Sequence, residues 1–227
     1  MIKNSILQSQ SNKTMAAMTT QIFSREQLEA QLMEKVTTIV NQGITMTQPG
    51  SISYLMYGTT PSRQAISIKM GKFGEEIIKT IISNSPHLEL LQCGVQCIDP
   101  TNSQKKDLDL LWKDEEKKII YYREAKGNIE LDSEKLPVTI EKVQVILNTY
   151  IKPKYPDYEI DIGVFNWSIY TRTNLKKGLS HIKKCEKKGV KVEHMKDMME
   201  LLNFEWSEEN YHNFFLNVGK CIDNMFA

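Results

Sequence analysis

The sequence lacks any long hydrophobic run. No apolar stretch approaches the roughly 20 residues that a membrane-spanning helix needs, so no membrane partner is expected. The opening stretch, Met1 to Thr20, is rich in Ser, Asn, Gln and Thr and has no apolar centre of the kind a secretory signal carries. It reads as a loose N-terminal tail, and a cytoplasmic location is expected. Cysteine is scarce. Cys93 and Cys97 form the one close pair, but they flank Gly-Val-Gln rather than the two residues usual in zinc knuckles, and His87 nearby does not complete that spacing. Reduced, partly buried thiols are the expectation. An excess of either charge is also missing: 29 Lys and Arg stand against 28 Asp and Glu. A net charge of +1 argues neither for nor against nucleic acid, because a local basic cleft is enough for binding. No internal repeat is visible.

What is present describes an ordinary globular chain, with 41% hydrophobic and 25% charged residues, long enough for one sizeable core. A single domain from residue 21 to 227 is expected. Leu28, Leu32, Val36 and Ile39 recur at helical spacing over about Arg25 to Val40, with Ser24 as N-cap. From 41 to 69 the chain reads as irregular, with Gly43, Pro49, Gly50, Gly58 and Pro61. A helix over Gly71 to Ser83 buries Phe73, Ile77, Ile78, Ile81 and Ile82. Strands follow at Leu88 to Ile98, Asp107 to Trp112 and Ile119 to Lys126, with a polar turn at Lys113 to Lys118. A helix runs from Asp132 to Ile151, with Val138, Ile140, Val143, Ile146 and Leu147 inward, and Pro153 and Pro156 end it. An apolar strand (Tyr158 to Tyr170), a basic helix (Asn174 to Lys188), a short strand (Gly189 to Glu193) and terminal helices rich in Met, Phe and Trp complete the chain. Lys176, Lys177, Lys183, Lys184, Lys187, Lys188 and Lys191 crowd one segment, which reads as a solvated face or a phosphate-binding one.

The chemistry lies in two strands. Side chains on a strand alternate faces, so Glu124 and Lys126 share a side. A short turn pairs their strand with the Asp-Leu-Asp strand as a hairpin, bringing Asp109 near Glu124. Two adjacent carboxylates are reconciled by a shared hard cation, and Mg²⁺ prefers carboxylate oxygen and retained water. Water beside such a cation is a better nucleophile, and a neighbouring lysine orients it or stabilises phosphate charge. Three further Glu-x-Lys triplets, Glu115/Lys117, Glu116/Lys118 and Glu186/Lys188, lie in charge-dense stretches. Only Glu124/Lys126 ends an apolar strand with an Asp strand before it.

Asp109, followed across a hairpin by Glu124-Ala125-Lys126 in an α-β-β-β-α-β order, resembles the PD-(D/E)XK nuclease superfamily over roughly 71 to 193. Within it the chain looks most like a type II restriction endonuclease, and in length and general look it is similar to enzymes that cut GANTC. No proline precedes the first Asp. Asp107 and Asp109 share a face, leaving the choice between them open with Asp109 preferred. The resemblance implies an α/β fold: a restriction-endonuclease-like core with a mixed central sheet flanked by helices, plus extra N- and C-terminal helices. It implies Mg²⁺-dependent hydrolysis of double-stranded DNA to 5′-phosphates, with Asp109, Glu124 and the Ala125 carbonyl as metal ligands and Lys126 positioning water. It also implies a homodimer, because two-fold protein symmetry matches two-fold sites. A helix-borne Glu often adds to such sites, and Glu76 is preferred over Glu75, although both are also favoured by the helix dipole. Gln144 resembles, less closely, the glutamine of RecB-like exonucleases. Base reading falls to Tyr57, Ser62, Arg63, Gln64 and Lys69, since Arg and Gln read G and A edges; Lys183 and Lys184 neutralise phosphates. The alternatives are a repair or junction-resolving nuclease of the same superfamily and a non-catalytic DNA-binding protein.

Overall fold

The computed structural model describes residues 23–44, 49–58, 60, 62–99, 103–127, 135–175 and 178–226. The expected N-terminal tail, Lys176 and Lys177 lie outside them. Among the described residues the fold is α/β. A mixed five-stranded sheet in the order β1-β4-β5-β6-β7 carries helices on both faces.

The sheet grows from the hairpin of β4 (Leu110–Asp114) and β5 (Ile119–Lys126), antiparallel with Leu110 opposite Arg123. Its turn is built by Asp114, whose buried carboxylate accepts from the Lys117 backbone N–H at 2.9 Å and pairs with the Lys117 ammonium at 3.0 Å. Lys118 closes it with a left-handed φ of 56°. β1 (Leu88–Leu90) joins the other edge of β4 antiparallel. β6 (Glu159–Asn166) and β7 (Lys191–His194) extend the sheet in parallel beyond β5, with Lys126, Asn166 and His194 in register. β2 (Gly94–Asp99) and β3 (Gln104–Leu108) form a separate two-stranded ribbon. The expected strand over Leu88 to Ile98 therefore divides in two, at a bend where Gly94 takes a φ of 83°. The expected strand starting at Asp107 likewise breaks at Asp109.

Alternation sorts the core into two halves. Leu110, Trp112, Tyr121 and Phe165 face α1 (Arg25–Ile44), α4 (Phe73–Ser83), α8 (Met195–Leu201) and α9 (Glu208–Asn224). Leu111, Ile120, Tyr122, Ile162 and Val164 face α5 (Leu136–Ile146) and α7 (Leu179–Glu186). The irregular segment expected over 41 to 69 instead carries two short helices, α2 (Ile52–Tyr57) and α3 (Arg63–Met70). Their caps explain the difference: Ser51 and Ser62 each accept a backbone N–H three residues on, at 3.1 Å.

α5 buries Leu136, Thr139, Val143 and Ile146, but Val138, expected inward, is 65% exposed. It continues through a π turn, Leu147–Ile151, into α6 (Lys152–Lys154). Pro153 thus lies inside helical structure rather than ending it. The wider π turn just before it loosens the ladder where proline has no N–H to give.

One close approach joins the two ends of the future site. Trp167, just after β6, donates its backbone N–H to the Lys126 carbonyl at 3.0 Å. Its indole lies flat on Gly74 in the first turn of α4, where a Cβ would fall 2.1 Å from the ring atom Cγ. The Tyr211 hydroxyl donates to the Trp167 carbonyl and holds the residue in place. Gly74→Ala should therefore cost about 1–3 kcal/mol in chemical denaturation, by overpacking against a ring that cannot retreat.

Candidate active site

The break in the strand at Asp109 creates the site. On the β4 side, β5 is paired only as far as Arg123. The Ala125 N–H, two residues further, takes the Asp109 carboxylate as its acceptor, with Oδ2 at 2.9 Å. Asp109 is thereby turned toward Glu124, and both carboxylates are buried. Asp107 does not share this place. It lies on β3 opposite Val95 and pairs with Lys72 at 3.3 Å, because the bend between Leu108 and Leu110 separates the two aspartates.

Three groups hold Glu124. The Tyr122 hydroxyl donates to Oε2 at 3.0 Å, and the Lys126 ammonium stands 3.2 Å from Oε1. The third is Lys142 of α5, whose Nζ is 2.5 Å from Glu124 Oε2 and 3.8 Å from Asp109 Oδ1. Burial and the neighbouring Glu124 charge push the Asp109 carboxyl up to about 7, against the opposing pull of Lys142. Burial, with Glu124 beside it, also lifts the Tyr122 hydroxyl well above its ordinary range, so it stays a proton donor.

Glu75 and Glu76 part company. Glu75 is buried, and its charge also raises the Asp109 carboxyl. Glu76 turns to α1 and pairs with Lys35 at 2.5 Å. Of the two, Glu75 is thus the one whose charge acts on Asp109, while α1 supplies a cation to Glu76. Lys79 joins the two, 2.7 Å from Glu75 and 3.7 Å from Glu76. Burial works against the Lys79 ammonium, but those carboxylates outweigh it and hold its pKa above the ordinary value.

The remaining expected residues lie elsewhere. Ser62 is occupied as the α3 cap, and Arg63 and Gln64 are exposed on the first turn of α3, with Lys69 half-buried near its end. Tyr57 closes α2, but its side chain lies outside the described residues. Lys183 and Lys184 are exposed on α7. Gln144 points away from the site and donates to the Lys188 carbonyl at 3.0 Å. The four cysteines are free thiols. The other Glu-x-Lys triplets fall in the β4–β5 turn and at the end of α7, where Glu115 pairs with Lys118 and Glu186 with Arg172.

Lys142 was not foreseen. Its sequence signal was its position: Thr139, Lys142, Val143 and Ile146 share the inward stripe of α5, and Lys142 is the one charged residue in it. Among the described residues no three His, Cys, Asp or Glu side chains form a metal-binding group. The acids of this site are instead interleaved with ammonium groups. The donors nonetheless suit a hard divalent cation. They are oxygen and they are buried, and burial first, then the Glu124 charge, raises the Asp109 carboxyl, both of which a bound dication would offset. No helix among the described residues is long and apolar enough to cross a membrane. Comparison with protein-family models and with curated proteins gave no match to this chain.

Asp109 ties stability to pH. Its folded pKa of about 7 lies above the ordinary 3.8, so the folded state holds a proton that the unfolded chain has lost between those values. The metal-free protein should lose stability as pH rises from about 4 to about 7. Thermal melts in chelator across that range should show this slope, and Asp109→Asn should remove most of it.

Proposed function

We propose that this chain is a Mg²⁺-dependent DNA endonuclease of the PD-(D/E)XK type, with a restriction-endonuclease-like core and a type II restriction activity that leaves 5′-phosphates. The observation that carries the reading is one cluster: Asp109 and Glu124, both buried, meeting across the β4–β5 hairpin with Lys126 beside them. A strand order in which an antiparallel hairpin is extended by parallel strands supports it.

Asp109 and Glu124 would hold the metal, with the Ala125 carbonyl as a further ligand. The N–H and C=O of one strand residue point to the same edge. Since the Ala125 N–H points at Asp109, its carbonyl is directed to the same side. When bound, the cation supplies Lewis-acid polarisation of the phosphate and of water. Tyr122 fixes the rotamer of Glu124 through its hydroxyl. Lys126, partly exposed, holds an ammonium where it can orient water and stabilise phosphate charge. Glu75 adds negative charge beside Asp109 and takes the supporting role first assigned to Glu76. The products are a 5′-phosphate and a 3′-hydroxyl, water supplying the oxygen and protons. The resemblance adds a homodimer acting on a near-palindromic site such as GANTC, whose two-fold symmetry such a dimer would match.

Digestion of a mapped plasmid with Mg²⁺ tests the reading. Discrete bands support a restriction enzyme, a smear or structure-selective nicking points to another nuclease of the superfamily, and intact plasmid with retained binding points to a DNA-binding protein. Asp109→Asn and Glu124→Gln should each lower cleavage by about three orders of magnitude or more while leaving DNA affinity in place. Lys126→Ala should lower it by roughly 10²–10³-fold, and Lys126→Arg should not restore it, since a planar guanidinium places its charge differently. Near-normal cutting by either carboxylate variant removes the assignment.

Arg63 and Gln64 project from the first turn of the helix that directly precedes α4. Their alanine variants should weaken binding to the cleaved sequence while leaving affinity for scrambled duplex nearly unchanged. Replacing Lys183 and Lys184 together should weaken both alike and reduce the salt slope by about 2. Titrations at two salt concentrations separate these effects, and equal losses from the Arg63 and Gln64 variants would show that α3 is not the reader.

A further inference from the structure

Asp109 and Glu124 each present one oxygen to a group of the hairpin end and the other to Lys142. Asp109 Oδ2 is taken by the Ala125 N–H, which leaves Oδ1. Glu124 Oε1 lies against Lys126, which leaves Oε2, fixed by the Tyr122 hydroxyl. The inward pair, Oδ1 and Oε2, are the two oxygens that the Lys142 ammonium bridges, at 3.8 and 2.5 Å. A divalent ion seated where that ammonium lies would use the same two oxygens. Lys142 is mostly buried and comes from α5, an element separate from the hairpin and from α4. An ammonium and a divalent ion crowded against the same two oxygens repel each other strongly, because charges in a buried site are only weakly screened.

We infer that Lys142 is the resident cation of the carboxylate pair: it holds Asp109 and Glu124 together in the metal-free protein and is displaced when the divalent ion binds. This rests on the nuclease reading and makes Lys142 a positioning residue for it. Metal affinity in this site is then set by competition with an internal lysine, not by the carboxylates alone. The arrangement also explains how two buried acids share a site without a metal. α5 brings the lysine at the edge of its inward stripe, next to the buried Val143 and Ile146. The long stem lets the ammonium withdraw while the helix stays packed.

The test uses the full chain and Mn²⁺ as the probe, with binding followed by calorimetry or electron paramagnetic resonance, so that no cleavage is needed. Lys142→Met keeps the stem and removes the charge. It should bind Mn²⁺ at least tenfold more tightly than the unaltered protein. Its metal-free melting midpoint should fall by about 4 °C or more, a loss that saturating Mn²⁺ reverses. Lys142→Arg keeps a cation in place and should bind Mn²⁺ no more tightly than the unaltered protein. Should the methionine variant fold poorly, Lys142→Gln, which retains a hydrogen-bond donor, should show the same tightening. Equal or weaker Mn²⁺ binding by the methionine and glutamine variants, with binding abolished by Asp109→Asn, overturns the inference while leaving the metal site standing. Failure of every variant to bind Mn²⁺ at millimolar concentrations overturns the metal site and the inference together.

Discussion

Negative charge crowded at the end of β5 is the constraint from which the rest of this structure follows. Two buried carboxylates, Asp109 and Glu124, lie across one hairpin, and Glu75 adds a third charge from α4. Burial of unpaired carboxylates costs several kcal/mol each, so the surrounding elements are disposed to neutralise them. α5 contributes Lys142, β5 its own Lys126, and α4 contributes Lys79 to its neighbours. Even the backbone takes part. The strand breaks at Asp109, and a carboxylate stands where a strand partner would otherwise satisfy the Ala125 N–H. What disrupts the ladder is also what aims the acid, which is how local irregularity becomes a site.

The same charge pattern explains which parts of the site were legible in the sequence. The hairpin was legible because β5 opens on a β-branched and aromatic run, Ile119 to Tyr122, and because the polar run after β4 reads as a turn. The pairing of Asp109 with Glu124 follows from those two facts. Lys142 was not legible. A lysine in a helix reads as solvated, and only the knowledge that Thr139, Val143 and Ile146 face the sheet puts it inward. The surroundings of Glu75 and Glu76 were hidden for a similar reason: their order on α4 does not reveal that α1 supplies Lys35 to Glu76. The fold shows the same division. α4 follows from periodicity and the central strands from their apolar, β-branched and aromatic content, whereas α2 and α3 were obscured by glycine and proline. The ribbon strand β3 was missed in part because Gln104-Lys105-Lys106 carries no apolar alternation.

Opposite faces of β5 carry opposite arrangements of charge, and this fixes how the strand can sit. Arg123, between Tyr122 and Glu124, points away from the site and is fully buried. Its guanidinium pairs with Glu193 of β7 and with Asp161 of β6 at 3.1 Å, and it donates to the Asp161 carbonyl at 2.9 Å. Gly163 on β6 makes the room, since a Cβ there would lie 3.1 Å from the arginine side chain. The parallel array of β5, β6 and β7 is thus tied together by ion pairs of one arginine that span three strands.

A slip of one residue would exchange every side chain of β5 between faces. Arg123 would then meet Lys142 and the apolar wall of Val143 and Ile146, while Glu124 would face Asp161 and Glu193. Both outcomes bury like charges together or leave a charge unpaired, at a cost of several kcal/mol. An apolar strand of the same length would tolerate the slip far better, since Tyr121 and Tyr122 are similar in bulk. The alternation of opposite charges at Arg123 and Glu124 therefore does two things at once. It seats an acid beside Asp109 on one face, and through the arginine on the other it holds that acid at the one position along the strand where Lys142 and Asp109 reach it.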